Sequence, residues 1–426
     1  MARRVAIVGA GWAGLAAAVA AVERGCDVAL YEATRTPGGR ARTLALDMPD
    51  GRTVRVDNGQ HILIGAYVET LRLMERVGVR PADVLLRLPL VLRDAQGRGL
   101  ALPDWPSPFD AAAGILFARG WTWRDKSSLL RAAAGWQRAG FACPPASTVA
   151  ELARDLTPRV REDLVDPLCV AALNTPAARA SGQVFLRVLR DSLFGRGHAP
   201  WRGSNLLLPR QDLGRVLPEA ATAWLESHGA QVRIGERVHA VQRDAAGWRV
   251  DGAAFDDVVL AVPSTEAARL VAASGADAAA WVHAAQALAF EAIATVYATG
   301  GPRLPLPMLA LRTRGDAPAQ FVFDRSQLGG PAGLLAFVVS ASSADKATIE
   351  SQVVAQARAL GWQVQPLQTV VEKRATFACT PALQRPAHAI APGLWACGDY
   401  VDGPYPATLE GAIRSALQVV DSLPRS

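Results

Sequence analysis

At 426 residues and 45.0 kDa the chain is long enough for a large buried core, and its size suggests two or three domains. Half of it is hydrophobic and 20% charged, which excludes a disordered chain, and no run approaches the ~18 apolar residues of a spanning helix. The net charge is +6 and the pI about 9.3, yet only three of the 45 basic residues are lysines (Lys126, Lys346 and Lys373). No basic run or nucleic-acid motif accompanies the excess, so no nucleic-acid partner is expected, and attraction to an anionic membrane surface stays open. Five scattered cysteines without a C-x-x-C pair exclude a disulfide frame and a metal site, and point to reduced thiols in the cytoplasm.

The strand-like run Val5–Val8 starts within four residues of the first, leaving no room for a signal peptide before it. "RVAIVGAGWAGLAAAVAAVERGCDVALYEA" then reads as strand, Gly-rich turn, helix and second strand. In the G-x-G-x-x-G turn, Gly9 permits the tight bend, Gly11 lets the backbone approach a pyrophosphate, and Gly14 lets helix and strand pack closely. With Trp12 and Ala13, these are the expected cofactor contacts at a helix N-terminus whose free amides face phosphate. Glu32 ends the second strand, placed for a ribose 2′-hydroxyl.

Next, "TPGGRAR" presents Arg40 and Arg42 from a turn at Gly38-Gly39, and "VDNGQHIL" ends a strand with Asp57, Asn58, Gly59, Gln60 and His61. Beside the first unit, these stretches resemble the flavin-binding extension of the amine oxidase and phytoene desaturase superfamily. That resemblance implies FAD, with Gly39, Arg40, Arg42, Asn58, Gly59, Gln60 and His61 along it and His61 a catalytic candidate.

Past residue 63 the dinucleotide pattern lapses. Residues 66–77 suggest a helix and "LRLPLVLRD" one strand, followed by a stretch rich in Trp and Phe: Trp105, Phe109, Phe117, Trp121, Trp123, Trp136, Phe141. Amphipathic helices are expected near 127–139, 149–157, 159–173 and 181–193, as plain core or as the wall of an apolar site. "VRIGERVHAVQRD" supplies two strands, with Val238 where such flavoproteins hold adenine, and "FDDVVLAVP" is a buried strand. A second insertion holds the strands "FEAIATVYAT" and "GLLAFVVSAS" and a helix near 345–360. "GLWACGDY" closes the sheet. Gly398 and Asp399 end that strand, Asp399 facing a ribitol hydroxyl, and Thr408, Leu409 and Ala412 open a helix aimed at the flavin ring.

The fold class is therefore α/β: a Rossmann-like FAD-binding domain of the amine-oxidase (GR2) type, interleaved with an α+β substrate domain. Residues 1–65, 205–265 and 388–426 are expected in the first, 66–204 and 266–387 in the second.

Four stretches narrow the family: "DNGQHILIGAYVETLRLM" (57–74), "DPLCVAALNTPAARASGQVFLRVLRDSLF" (166–194), "NLLLPRQDL" (205–213) and "GDYVDGPYPATLEGAIRSA" (398–416). Across almost the whole chain it resembles the hydroxysqualene dehydroxylase family, squalene-associated flavoproteins of bacterial hopanoid pathways. The resemblance implies reductive removal of the allylic hydroxyl of hydroxysqualene to give squalene, and an apolar isoprenoid substrate drawn from membrane. It also implies peripheral contact with the inner face of the cytoplasmic membrane and with neighbouring isoprenoid enzymes, and an electron donor that the residues leave unidentified. Asp166 is the expected acid, Asn174, Thr175 and Gln183 hold the hydroxyl or the leaving water, and Asp57 and Asp402 stand in reserve. Alternatives are a carotenoid-type desaturase, a flavin amine oxidase and a non-catalytic flavoprotein scaffold. Against the amine oxidase, "FEAIATVYA" lacks the lysine such enzymes resemble one another in carrying near flavin N5, and Thr408 stands where they commonly place an aromatic.

Overall fold

The computed structural model describes residues 2–244 and 247–424. Its six-stranded sheet runs in the order Gln231–Ile234, Asp27–Glu32, Arg4–Val8, Asp257–Leu260, Leu394–Ala396, Ala389–Ala391. The first five strands are parallel and the last is antiparallel. The inner strands read as unbroken apolar runs because both faces are covered. On one face the helices Trp12–Glu23 and Leu409–Ser422 pack against each other, joining the two ends of the chain. Strand order turns back between Arg4–Val8 and Asp257–Leu260, which opens a crevice at their carboxyl ends.

A second, antiparallel sheet has five strands in the order Met308–Ala310, Phe321–Asp324, Leu335–Ser340, Phe290–Thr299, Gln365–Phe377. Helix Lys346–Ala359 covers it with Ile349, Val353 and Ala357, spaced four residues apart on one face. The intervening insertion is helical: Phe109–Leu116, Trp123–Arg138, Asp166–Leu173 and Gly182–Phe194 are its longer helices. Strand Leu206–Pro209 pairs with both Leu63–Ile64 and Leu85–Leu88, tying the insertion's two ends together.

Two details depart from expectation. "LRLPLVLRD" divides at Pro89 into the ends of Leu85–Leu88 and Val91–Arg93, because proline has no amide to give a ladder. The helices expected at 149–157 and 159–173 divide differently. Val149–Leu152 stops early, and Pro158–Val160 runs through a π-helical turn, Arg161–Val165, into Asp166–Leu173. Pro167 lacks an amide, and the wider turn just before it accommodates that loss.

The helix Val68–Arg76 has no capping side chain of its own. Glu410 supplies one from the far end of the chain. Its wholly buried carboxylate accepts from the amides of Glu69 (3.1 Å) and Thr70 (2.9 Å), the Thr70 hydroxyl (2.7 Å) and Arg414 Nε (2.7 Å). Glu410→Ala leaves buried donors unpaired and is expected to lower stability by about 1–3 kcal/mol, with Glu410→Gln costing less. Urea denaturation midpoints check this order; a Glu410→Ala midpoint equal to that of the unaltered chain would refute it.

Candidate functional site

At the crevice, Gly9 turns with φ +106°, and a Cβ there would lie 2.7 Å from the Ala261 carbonyl oxygen. A Cβ on Gly14 would lie 1.8 Å from the Gly9 oxygen, so helix and strand meet backbone to backbone. Gly11 differs. Its nearest obstacle is the Gly39 Cα at 3.9 Å, and Gly39 likewise faces Gly11. The Gly38 amide donates to the Ala10 carbonyl at 2.8 Å, so two glycine lips face each other without side chains between. Helix Trp12–Glu23 begins there with no side-chain cap and no acidic residue in its first turn, leaving its positive end open. Trp12 and Ala13 are buried beneath, the Trp12 indole donating to the Ala41 carbonyl at 3.0 Å. This cradle fits a diphosphate.

Glu32 lies beside it, accepting from the Ala10 amide and from the amide and hydroxyl of Thr34, each at 2.8 Å. Those bonds aim its carboxylate at the crevice edge. Arg40 pairs with Asp399, 359 residues away in sequence, and donates to the Ala375 carbonyl at 2.7 Å. Arg42 braces the turn by donating to the Gly39 carbonyl at 2.6 Å. The Gly398 amide donates to Ser415 at 2.8 Å, inside the last helix. Thr408 caps that helix: its hydroxyl accepts from the Gly411 amide and donates to the Tyr405 carbonyl, both at 2.9 Å. Leu409 and Ala412 stand in its first turn. Val238 is buried in the loop after strand Gln231–Ile234.

The segment 57–61 crosses from this domain towards the second sheet. Asp57 is fully buried; one oxygen accepts from the Leu213 amide at 2.6 Å and the other has no partner. Burial pushes its carboxyl up to about 7, against the opposing pull of Arg325 and the Leu213 amide. Asn58 is buried, its amide bonded to the Arg42 carbonyl at 3.0 Å. Gln60 accepts from Arg325 at 3.0 Å, and its buried amide nitrogen is unpartnered. Gly59 accepts from His61 Nδ1 at 2.8 Å, which fixes the tautomer, and burial lowers the His61 pKa so that the ring is neutral. Orphaned polar atoms on Asp57 and Gln60, beside an open glycine cradle, suit a flavin.

A cavity of about 420 Å³ opens among the inserted helices. Its wall is overwhelmingly apolar: Ile62 and Ile64 from the 57–64 segment, and faces of helices Phe109–Leu116, Trp123–Arg138 and Gly182–Phe194. It reaches Tyr67 and Thr408, so cavity and last-helix N-terminus share a boundary. Of its wall residues, Leu130 and Phe194 are also exposed on the surface and mark its lip.

Three expected catalytic residues are placed elsewhere. From the helix at 158–173 the cavity takes Leu164, Val165, Leu168 and Ala172, which leaves Asp166 on the opposite, exposed side. Gln183 is exposed and clamps a loop, donating to the Phe141 carbonyl at 3.2 Å and accepting from the Cys143 amide at 3.1 Å. Asn174 caps its helix at φ +45° with all its polar atoms engaged. It donates to Thr376 (2.9 Å) and the Glu291 carbonyl (3.4 Å) and accepts from the Ala341 amide (3.0 Å). Thr175 is equally committed, to Leu173 and Cys379. These side chains weld the helical insertion to the second sheet. Of the reserves, Asp402 is exposed against Arg385. Lys373 lies on the strand next to Phe290–Thr299, but its side chain is exposed.

Two polar residues of the cavity are not among those expected from the sequence. Asp191 and Tyr405 line it, with the Tyr405 hydroxyl donating to Asp191 Oδ2 at 2.9 Å. Asp191 lies inside the stretch 166–194 and Tyr405 inside 398–416, but nothing in either stretch says which helix face meets a cavity.

The family model for flavin containing amine oxidoreductases matches residues 12–423. Hydroxysqualene dehydroxylase of Rhodopseudomonas palustris is 27% identical over 99% of this chain and 98% of its own. Zeta-carotene desaturase of Synechocystis is 43% identical, but over 18% of this chain and 15% of its own. Among solved structures, an oxidoreductase from Methanosarcina mazei superposes with a TM-score of 0.73 at 16% identity, covering 98% of this chain and all of that one.

Asp57 carries a pH signature. A folded-state pKa raised from 3.8 to about 7 means that the native chain retains a proton the unfolded chain has lost. Its contribution to stability is therefore lost as pH rises from about 4 to 7, and is level above that. Asp57→Asn, which keeps the acceptor for Leu213, is expected to gain stability relative to the unaltered chain across that window. Paired unfolding titrations at pH 4 to 8 check it; a pH-independent difference would remove the assignment.

Proposed function

The chain belongs to the flavin containing amine oxidoreductase family, and from that premise we propose that it binds FAD and reductively removes the allylic hydroxyl of hydroxysqualene to give squalene. The observation that carries the reading is the apolar cavity bounded by Thr408 at the N-terminus of the last helix. The full-length likeness to a hydroxysqualene dehydroxylase supports the substrate, whereas the likeness to a carotene desaturase covers less than a fifth of the chain.

In this reading Gly11, Gly39 and the first turn of helix Trp12–Glu23 hold the diphosphate, Glu32 the adenosine ribose, and Asp399, set by Arg40, the ribitol. Bound and reduced, the flavin supplies hydride. The chain's own part is to desolvate and orient. The cavity wall excludes water from an ionising allylic carbon, and Thr408, smaller than an aromatic, leaves room for a branched isoprenoid beside the helix end. Replacing the hydroxyl by hydrogen consumes one hydride and one proton, both of which a bound, fully reduced flavin would supply, so the hydroxyl would leave as water and the flavin would end oxidised.

The substrate comes from membrane, and a lipid surface fits the face around the cavity lip. Phe109, Phe117 and Trp123, on or next to the helices Phe109–Leu116 and Trp123–Arg138 that help wall the cavity, are 67%, 71% and 73% exposed, and Arg119, Arg124, Arg131 and Arg138 of the same stretch are exposed as well. Large apolar side chains interleaved with arginines suit an anionic interface. Among the described residues no helix is long and apolar enough to cross a membrane.

Anaerobic addition of hydroxysqualene to the reduced flavoprotein is expected to reoxidise the flavin with an equivalent of squalene formed. A flavin that stays reduced would sink the reading, and bleaching of the oxidised form by a polyene would favour a desaturase. Sedimentation with phosphatidylglycerol vesicles is expected to carry the protein down. Phe117→Ser with Trp123→Ser should weaken that binding several-fold without changing turnover of detergent-dispersed substrate, and undiminished sedimentation would exclude this face.

A further inference from the structure

Among the described residues, Asp191 is the only charged side chain lining the cavity. Arg190 Nε binds its Oδ1 at 2.8 Å and Arg187 Nε lies 3.7 Å from Oδ2, both from the exposed side of helix Gly182–Phe194. Oδ2 takes the Tyr405 hydroxyl. The Tyr405 ring is covered by Arg414 at 5.0 Å, and its carbonyl is held by Thr408. Thr408 and Tyr67 both line the cavity here. Carboxylate, phenol and helix cap thus form one connected polar patch in a mostly apolar wall whose other polar side chains, Gln137, Ser192 and Ser204, are uncharged.

We propose that Asp191 and Tyr405 are the receptor for the substrate's hydroxyl, an inference that rests on the reading above. An alcohol oxygen placed between them accepts from the Tyr405 phenol and donates to Asp191. That insertion exchanges one hydrogen bond for two and leaves no polar atom unpaired. Over most of the wall an alcohol would face apolar side chains, which is costly, and the neutral Gln137, Ser192 and Ser204 offer no charge-assisted bond. The patch therefore orients a long, nearly uniform hydrocarbon by its single polar point. Burial, and then the bond and charge of Asp191, raise the Tyr405 pKa, so the phenol keeps the proton it donates.

Without ligand the pair closes on itself, so a hydrocarbon is rejected less severely than by a site left with unpaired groups. The preference for alcohol over hydrocarbon is expected at about 10- to 100-fold. Titrating the oxidised holoenzyme with hydroxysqualene and with squalene, read by the flavin absorption band, measures that ratio whether or not the reduced enzyme turns the alcohol over. Tyr405→Phe and Asp191→Asn should each bring the ratio towards one while squalene affinity stays unchanged, a split that a merely structural role would not produce. Tyr405→Phe keeps the ring under Arg414 and decides the matter if Asp191→Asn folds poorly. A wild-type ratio near one, or a wild-type ratio retained in Tyr405→Phe, overturns the proposal.

Discussion

The buried carboxylate of Glu410 accepts four hydrogen bonds, three of them from the first turn of a helix some 340 residues earlier. A buried charge is tolerated only when it is satisfied in this way, so the two helices have one relative placement. Tyr67 immediately precedes one helix and Thr408 caps the other; both therefore meet at the cavity wall. The first turn of the last helix tightens further at Gly411, where a Cβ would lie 1.8 Å from the Tyr405 oxygen. Tyr405 is thereby fixed beside Asp191. One interaction sets the direction of the closing helix, the cavity boundary and its polar patch.

The parallel sheet imposes the rest. Parallel neighbours cannot be joined by tight turns, so each return to the sheet needs a long excursion, and this chain uses two of those excursions to build the helical insertion and the antiparallel sheet. Asn174 then fastens insertion to sheet through Thr376, Glu291 and Ala341. An amide spent on that joint has no capacity left for substrate, which is why a polar residue in the stretch 166–194 is architectural.

The cofactor half was legible because its requirements are local. A bend with φ above zero, a backbone approach at Gly11 and an acid closing the second strand leave their marks within thirty residues. The closing strand at Leu394–Ala396 was readable for the same reason. Side-chain direction in the insertion was not. Asp166 and Asp191 both lie on helices among apolar neighbours, and only the packing decides that the first faces out and the second in. Pro167 adds to this, since the π-helical turn before it changes the angle at which later residues emerge. Nor does composition reveal that Asp57 is buried with an unpartnered oxygen, because that depends on Leu213 and Arg325 arriving from distant segments.

On the proposed chemistry, the wall's electrostatics divide the work between two ends of one patch. Losing an allylic hydroxyl develops positive charge on carbon, and an apolar cavity does nothing to stabilise it. The positive end of the last helix, at Thr408, would oppose that charge while favouring an electron-rich cofactor. A carboxylate on the same wall offsets this for the carbon. Arg187 and Arg190 contact Asp191 from the exposed side and temper its charge, whereas Tyr405 reaches it within the cavity wall. The chain therefore separates a cationic helix end for the flavin from an anionic point for the substrate, linked by Thr408, within a wall that excludes the water which would otherwise capture the cation.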